Sequence, residues 1–342
     1  MPGTDIGIDL GTANILIYIS GKGIVLEEPT IVAVDNETEE IIAYGREAQR
    51  MLGRTSDRVR VVCPLSNGVI SDYDLTEQLI IRFVKQVASS MLFMPRVVVC
   101  IPGEVTEVER RAVIDAVHAA GARKICLVEE PVAAAMGAGL DISSPHGSMV
   151  VDIGAGTTDM AVISLGGMAV NRSIKIAGNT FDDDIIKYVR KKYNIIIGKR
   201  MAEEAKIAVS CVFPRQEDDR VQPFRIKGRN ALTGLPQAVE ISSEEVMEAI
   251  LPSAMLIVRE VQSLLEETPP ELVGDVYEDG MMITGGGALI YGIDRLLSKK
   301  TKMPVRIAEE PLHCVAQGAG QCLGFIDLMQ TEDQGSLNPL TE

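Results

Sequence analysis

Two short stretches of this sequence place an aspartate just before a small-residue turn. GIDLGTANILIYI runs from Gly7 to Ile19, and VVDIGAGTTDMAVISL runs from Val150 to Leu165. Each reads Asp, an aliphatic residue, Gly, a turn and an alternating apolar run, the pattern of a β-hairpin. A glycine-rich turn exposes consecutive backbone N–H groups that can wrap around phosphate oxygens. Asp9 and Asp152 would repel phosphate unless a divalent cation lay between them. Magnesium meets that need, because it keeps waters that carboxylates can hold. Thr12, Thr157 and Thr158 supply hydroxyls. Either hairpin alone also reads as an ordinary turn with glycine chosen for positive φ; the pair points to a polyphosphate clamped from two sides. A third stretch, GMMITGGGAL from Gly280 to Leu289, reads as a strand running into three glycines and a helix. An adenine or ribose can lie against such bare backbone and a helix N-terminus, and a plain loop is the alternative. No G-x-x-x-x-G-K-[ST] motif is present, so these are not Walker-type loops.

Other chemistries find little support. The three histidines, His118, His146 and His313, sit in unrelated contexts, which argues against a His-based metal site or a Ser-His-Asp triad. The six cysteines are scattered without a Cys-x-x-Cys pair and read as reduced, mostly core, thiols. A net charge of -15 argues against a nucleic-acid surface. The basic cluster Arg190-Lys191-Lys192 closes an expected helix, where it complements the dipole. No apolar run reaches the length of a membrane-spanning helix, and Asp5 and Asp9 within the first apolar segment speak against a signal peptide. These features predict a cytoplasmic protein.

The elements that would position the hairpins alternate between strand and helix. Short strands are expected near Ile31–Val34 and Ile41–Ala43, followed by a small polar region to residue 67. A helix is expected over Thr76–Ser90, with Leu79, Phe83, Val84 and Val87 on one face. RVVVCIP is a buried strand. It leads to a helix with a Thr106/Glu109 capping box, an apolar stripe of Val108, Ala112, Val113, Ala116 and Val117, and Gly121 as its stop. KICLVEE is a strand followed by a helix with Pro131 in its first turn. After ISSPHG the order restarts: a hairpin, a helix over Thr180–Lys192, a mixed segment, a helix over Ser242–Glu267 interrupted by Pro252, the strand GMMIT and the glycine turn. Two similar α/β halves facing each other across a cleft are the expected architecture.

The motifs DLGTAN, DIGAGTTD and ITGGGAL resemble, in order, the phosphate 1, phosphate 2 and adenosine motifs of the actin, Hsp70 and sugar-kinase superfamily. More narrowly, MLGRT, PLSNGVISD, VERRAV, LVEEPVAAAMGAGL and GMMITGGGALIYGIDRLL resemble the MreB/Mbl family of bacterial actin homologues, from Asp5 to about Leu328. The resemblance implies an α/β, actin-like (ribonuclease H-like, duplicated) two-domain fold with a nucleotide cleft between the halves. The expected halves are 1–144, with a small subdomain at roughly 32–66, and 145–330, with one at roughly 179–245; 331–342 is expected to be a disordered tail. It also implies ATP and Mg2+ as cofactors, with Asp9 and Asp152 holding the metal through water. Gly11, Thr12, Ala13 and Asn14 would line one phosphate loop, and Gly154, Ala155, Gly156 and Thr157 the other. Gly285, Gly286, Gly287 and Ala288 would line the adenosine side. Glu130 matches the family residue that positions the attacking water, which suits in-line attack on a γ-phosphate. Thr157 matches a hydrolysis residue. Glu203 and Lys206 match the pair that reaches the ribose and adenine, although i,i+3 spacing equally suits a surface salt bridge.

The second phosphate loop departs from the family's usual DIGGGTTE at Ala155 and Asp159. Both changes predict slower or tighter nucleotide handling rather than loss of binding. The implied function is an ATP-hydrolysing filament of the cell-shape cytoskeleton on the inner face of the membrane, organising cell-wall synthesis. The implied partners are other copies of itself in paired protofilaments, inner-membrane lipid and membrane proteins of the cell-wall elongation machinery. Met91, Leu92, Phe93 and Met94 would touch the bilayer, unless the loop folds back into the core; only about five residues precede the first strand, so no N-terminal amphipathic helix is expected to assist. The alternative is a small-molecule phosphotransferase of the same superfamily, for whose acceptor-binding segments the chain leaves little length. An Hsp70-like chaperone would need a substrate domain beyond residue 330.

Overall fold

The computed structural model describes residues 5–66, 68–88, 94–103, 105–327 and 329. The chain opens on the first hairpin, β1 (Ile6–Leu10) and β2 (Asn14–Ile19), extended by β3 (Gly23–Pro29). β4 (Val32–Asp35) and β5 (Ile41–Tyr44), the two short strands expected here, join β6 (Val59–Val62) in a small three-stranded sheet, with α1 (Arg46–Met51) and β6 lying where a polar region is expected from sequence. A two-stranded hairpin, β7 (Leu65–Ser66) and β8 (Val69–Ile70), leads to α2 (Tyr73–Ala88). β9 (Arg96–Ile101), α3 (Glu107–Ala119), β10 (Lys124–Glu129) and α4 (Glu130–Gly137) complete the first half.

The second half repeats this plan. β11 (Ser148–Ile153), β12 (Thr158–Ser164) and β13 (Gly167–Ile174) form its meander. α5 (Gly178–Tyr193), β14 (Ile195–Ile196), α6 (Lys199–Val209), β15 (Phe224–Asn230), β16 (Pro236–Ile241) and α7 (Ser243–Glu267) follow, then α8 (Pro270–Asp279), β17 (Met281–Thr284), α9 (Ile293–Thr301), β18 (Val305–Ile307) and α10 (Cys314–Cys322). Among the described residues the large sheets run β3-β2-β1-β9-β10 and β13-β12-β11-β17-β18. In each, the first hairpin is antiparallel and the later strands join in parallel. The repeat visible in two hairpins therefore extends through two whole sheets.

The last helix of each half packs on the other half. α4 lies against β11 and β12, while α10 lies against β1, β2 and β9. The two helices cross at glycines in a reciprocal way. A Cβ on Gly137 would stand 1.9 Å from the Cys314 carbonyl oxygen, and one on Gly318 would stand 1.9 Å from that of Ala133. Backbones this close leave room only for glycine. Around the crossing, Val98, Cys126, Val150, Ala161 and Ala319 form one buried cluster shared by both sheets, so apolar contact between the halves runs beside β9, β10, β11 and β12.

Three local expectations are corrected. α7 runs unbroken through Pro252. Pro252 and Glu248, whose carbonyl loses its partner, are both exposed, so water can serve the broken hydrogen bond. The buried stripe Val246, Ile250, Ala254, Ile257, Val261 and Leu264 meanwhile holds both sides in register. Val108 is 67% exposed; at about 100° per residue it falls well away from the face centred on Val113, Ala116 and Val117. The three glycines do not start a helix: Gly286–Leu289 is a short 3-10 turn and α9 begins only at Ile293. The Thr106/Glu109 capping box and the Pro131 helix start are present as expected. All six cysteines are free; five are buried and Cys63 is exposed. Among the described residues, no helix is long and apolar enough to cross a membrane.

Candidate functional site

The C-terminal ends of β1 and β11 open onto one cavity of about 450 Å3 between the halves, within the size range of small-molecule sites. Asp9 on β1 and Asp152 on β11 both line it. Their positions are equivalent: Asp9 pairs with Leu16 on one side and Cys100 on the other, and Asp152 pairs with Asp159 and Thr284. The environments differ. The Thr284 hydroxyl donates to Asp152 Oδ1 at 2.6 Å, whereas Asp9 has a cysteine at the matching place.

Both carboxylates are buried, and burial raises the cost of their charge. Asp9 is pushed up to about 8 by burial and by the Asp152 charge. Asp152 is pushed up to about 7, with burial opposed by the Thr284 hydrogen bond and assisted by Asp159. Glu130, at the start of α4, is raised well above the carboxylate range by burial first, then by Asp159, Asp9 and Asp152. Asp9, Asp152 and Glu130 line one cavity, where an added positive charge would relieve their repulsion; among the described residues no three carboxylate, His or Cys groups stand close enough to form a direct metal-ligand cluster, so a cation there would be held through water.

Gly11, Thr12, Ala13 and Asn14 line one wall, and Gly154, Ala155, Gly156 and Thr157 the opposite one. The first turn is pinned where the Thr30 hydroxyl donates to Gly11 O at 2.8 Å and Thr30 N–H donates to Ala13 O at 2.8 Å. The second is pinned by the start of α5: Gly178 N–H donates to Gly154 O at 3.1 Å and Asn179 N–H to Ala155 O at 2.7 Å. Positive φ does not explain these glycines, since neither Gly11 nor Gly154 adopts it. Gly11 is fixed by close approach, its would-be Cβ standing 2.6 Å from the Asn14 carbonyl oxygen. Ala155 also keeps ordinary backbone, so the departure from glycine there carries no strain.

Gly285, Gly286, Gly287, Glu203 and Lys206 close the far end. Ala288 does not line the cavity; it is buried in the second half's core. Thr158 is fully buried and spends its hydroxyl on Ile176 O at 2.7 Å, so its side chain is structural. Lys206 pairs with Asp182 at 3.0 Å and donates to Gly178 O at 2.9 Å, tying α6 to the helix that pins the second loop. Burial, eased by Lys206, pushes Asp182 up to about 6. Of the apolar quartet, Met91, Leu92 and Phe93 lie outside the described residues, and Met94 is 63% exposed.

Sequence reasoning passed over several neighbours. Gly68, on the β7–β8 turn, donates its N–H to Thr12 Oγ1 at 3.1 Å, and a Cβ there would stand 2.7 Å from Thr157 Cγ2. That turn therefore touches both loops; its only local signal was a small polar turn between apolar pairs. Thr284 and Asp182 gave no signal, because their partners are far away in sequence; Asp159 stood out only as a departure from the usual motif, without its contact to Gly103.

Comparison with known proteins follows from this geometry. The family model described as MreB/Mbl protein matches residues 3–331. The chain is 46% identical over 324 residues to the cell shape-determining protein Mbl of Bacillus cereus, covering 94% of this chain and 96% of that protein. It is 46% identical over 330 residues to the cell shape-determining protein MreB of Escherichia coli K12, covering 95% and 94%. The crystal structure of MreB5 of Spiroplasma citri bound to AMPPNP matches with a TM-score of 0.89 at 40% identity, over 96% of this chain and 98% of that one.

Proposed function

Because the chain belongs to the MreB/Mbl family, whose fold is actin-like, we propose that it is an ATP-binding and ATP-hydrolysing cytoskeletal protein whose filaments determine cell shape. The observation that carries this reading is the pair of equivalent buried carboxylates, Asp9 and Asp152, brought from two halves of a duplicated fold to one cavity. The similar MreB5 structure holds a nucleotide analogue, and the cavity here, about 450 Å3 and walled by two glycine-containing turns, has room for a ligand of that class. Each half is read as carrying a small subdomain, roughly 32–66 and 179–245, that shapes the mouth of the cleft.

In this reading the backbone N–H groups of Gly11–Asn14 and Gly154–Thr157 bind the phosphates, and Glu203 and Lys206 face the ribose and base beside Gly285–Gly287. Asp9 and Asp152 would hold magnesium through water; when bound, the ion neutralises phosphate charge. Glu130 orients the attacking water through its carboxyl group, with the Thr157 hydroxyl as its companion. Placing the two loops on separate halves makes nucleotide a bridge between them, so nucleotide state acts on the shape of the whole subunit and thereby on its contacts with other copies.

Sedimentation and phosphate release measured together with Mg-ATP test this. The wild type pellets as filaments and releases phosphate to water, whether or not sugars or carboxylic acids are added as acceptors. Transfer of the γ-phosphate to an acceptor without pelleting would establish the phosphotransferase instead. Glu130→Ala keeps pelleting and loses most phosphate release, on the order of 10²-fold or more. Glu129→Ala, at a half-buried position that does not line the cavity, loses much less.

Filaments are further proposed to lie on the inner face of the membrane with the cell-wall elongation machinery, through the apolar quartet at 91–94. One buried large side chain contributes only about 1.5–3 kcal/mol, so binding would arise through many copies on one filament. Leu92→Ser with Phe93→Ser should keep pelleting and lose liposome co-sedimentation; unchanged liposome binding would refute this contact.

A further inference from the structure

The duplicated fold offers an internal comparison for Asp159. On β12 it stands opposite Asp152; the equivalent residue of the first half, opposite Asp9, is Leu16. Leu16 is 5% exposed and Asp159 is 1% exposed. An aliphatic side chain therefore satisfies the fold at this place, and a buried carboxylate is costly wherever packing alone would do. Something other than packing has to account for Asp159.

Its contacts point across the cleft floor. Asp159 Oδ1 accepts the N–H of Gly103 at 3.3 Å. Gly103 belongs to the first half, on the turn between β9 and α3. The same glycine is set against the second half's sheet, since its would-be Cβ lies 3.5 Å from Asn171 Nδ2 on β13 and 3.9 Å from Asp159 Oδ1. Asp159 is also the foremost of the charges that push Glu130 up. One second-half side chain thus meets the first half at the β9–α3 turn and acts on the carboxyl group at the start of α4.

We propose that Asp159 is an inter-half positioning residue: by accepting the Gly103 N–H it anchors the β9–α3 turn of the first half to the strand that follows the second phosphate loop, and so sets Glu130 against Thr157. The assignment rests on the reading of Glu130 and Thr157 as hydrolytic residues. A bond from one half to the other forms only when the cleft floor is closed, so it couples closure to the placement of Glu130. It acts on the chemical step and leaves nucleotide affinity to the loops.

The test uses the full chain carrying Asp159→Leu, the residue type that the first half already accommodates, and Asp159→Asn, which keeps the Oδ1 acceptor. ATP affinity, single-turnover phosphate release and hydrogen exchange at the Gly103 amide are measured together. Asp159→Leu should slow release by about tenfold or more at an ATP affinity within about twofold of wild type, and should speed Gly103 exchange by about tenfold. Asp159→Asn should stay within about threefold of wild type in all three. Should the leucine variant fail to fold, Gly103→Pro removes the donor from the other side and is expected to show the same split. Wild-type release and exchange in the leucine variant would overturn the proposal, as would an asparagine variant as impaired as leucine. A wild type that binds ATP without releasing phosphate would instead overturn the hydrolytic reading, and the Gly103 exchange would still decide the contact.

Discussion

Asp9 and Asp152 show how burial changes the charge state of an ordinary residue. Each sits one strand away from an apolar or hydroxyl neighbour and within reach of other carboxylates, so both hold their protons well above the usual carboxylate range, at about 8 and about 7. A proton bound more tightly by the native state than by the unfolded chain stabilises the fold below the unfolded pKa and stops doing so as pH rises through the native one. Metal-free, nucleotide-free protein should therefore lose stability between roughly pH 4 and 8, by up to about 1.4 kcal/mol per pH unit for each carboxylate. Asp9→Asn should flatten part of that slope, and magnesium should flatten it in the wild type. Chemical denaturation across this range checks the point; superimposable pH profiles for wild type and Asp9→Asn would contradict it. At this scale the sequence showed Asp9, Asp152 and their glycines because each motif is local. Asp182 stayed hidden, since what makes it notable is a partner in a distant segment, Lys206; Asp159 showed as a departure from the motif, but its contact with Gly103 did not.

Among the elements, α4 and α10 matter most to how the halves communicate. Each packs on the sheet of the opposite half, and their crossing admits no side chain at Gly137 or Gly318. Gly137→Val should force the helices apart at a cost of about 3 kcal/mol, at the upper end of overpacking penalties. Because the crossing underlies both loop strands, ATP binding should weaken in the same variant. Thermal unfolding with and without Mg-ATP measures both effects, and a variant as stable as wild type would show that the crossing is more yielding than its geometry indicates. Helix and strand types were legible from period and caps, as in the Thr106 box. Two misreadings have one cause, the position of a residue around its helix: Pro252 lies on an exposed face where water can serve the broken bond, and Val108 falls away from the buried face.

For the molecule as a whole, the repeat of one hairpin announced a repeat of the entire sheet, and the two sheets place their equivalent carboxylates on one cavity. The two halves share a buried cluster around the crossed helices α4 and α10, and a ligand bound to both loops would fix their relative angle. The duplication was legible because Asp-x-Gly recurs with its flanking strands. The reciprocal packing of α4 and α10 was not, because small residues in a helix give no sign of what they face. The most direct test of the central claim is an ATP titration of wild type, Asp9→Ala and Asp152→Ala, each in magnesium and in chelator. If both halves hold one metal-bound nucleotide, the wild type binds more tightly with magnesium, and either substitution removes most of that advantage, about tenfold or more in Kd. Magnesium-independent binding of unchanged affinity in both variants would contradict it.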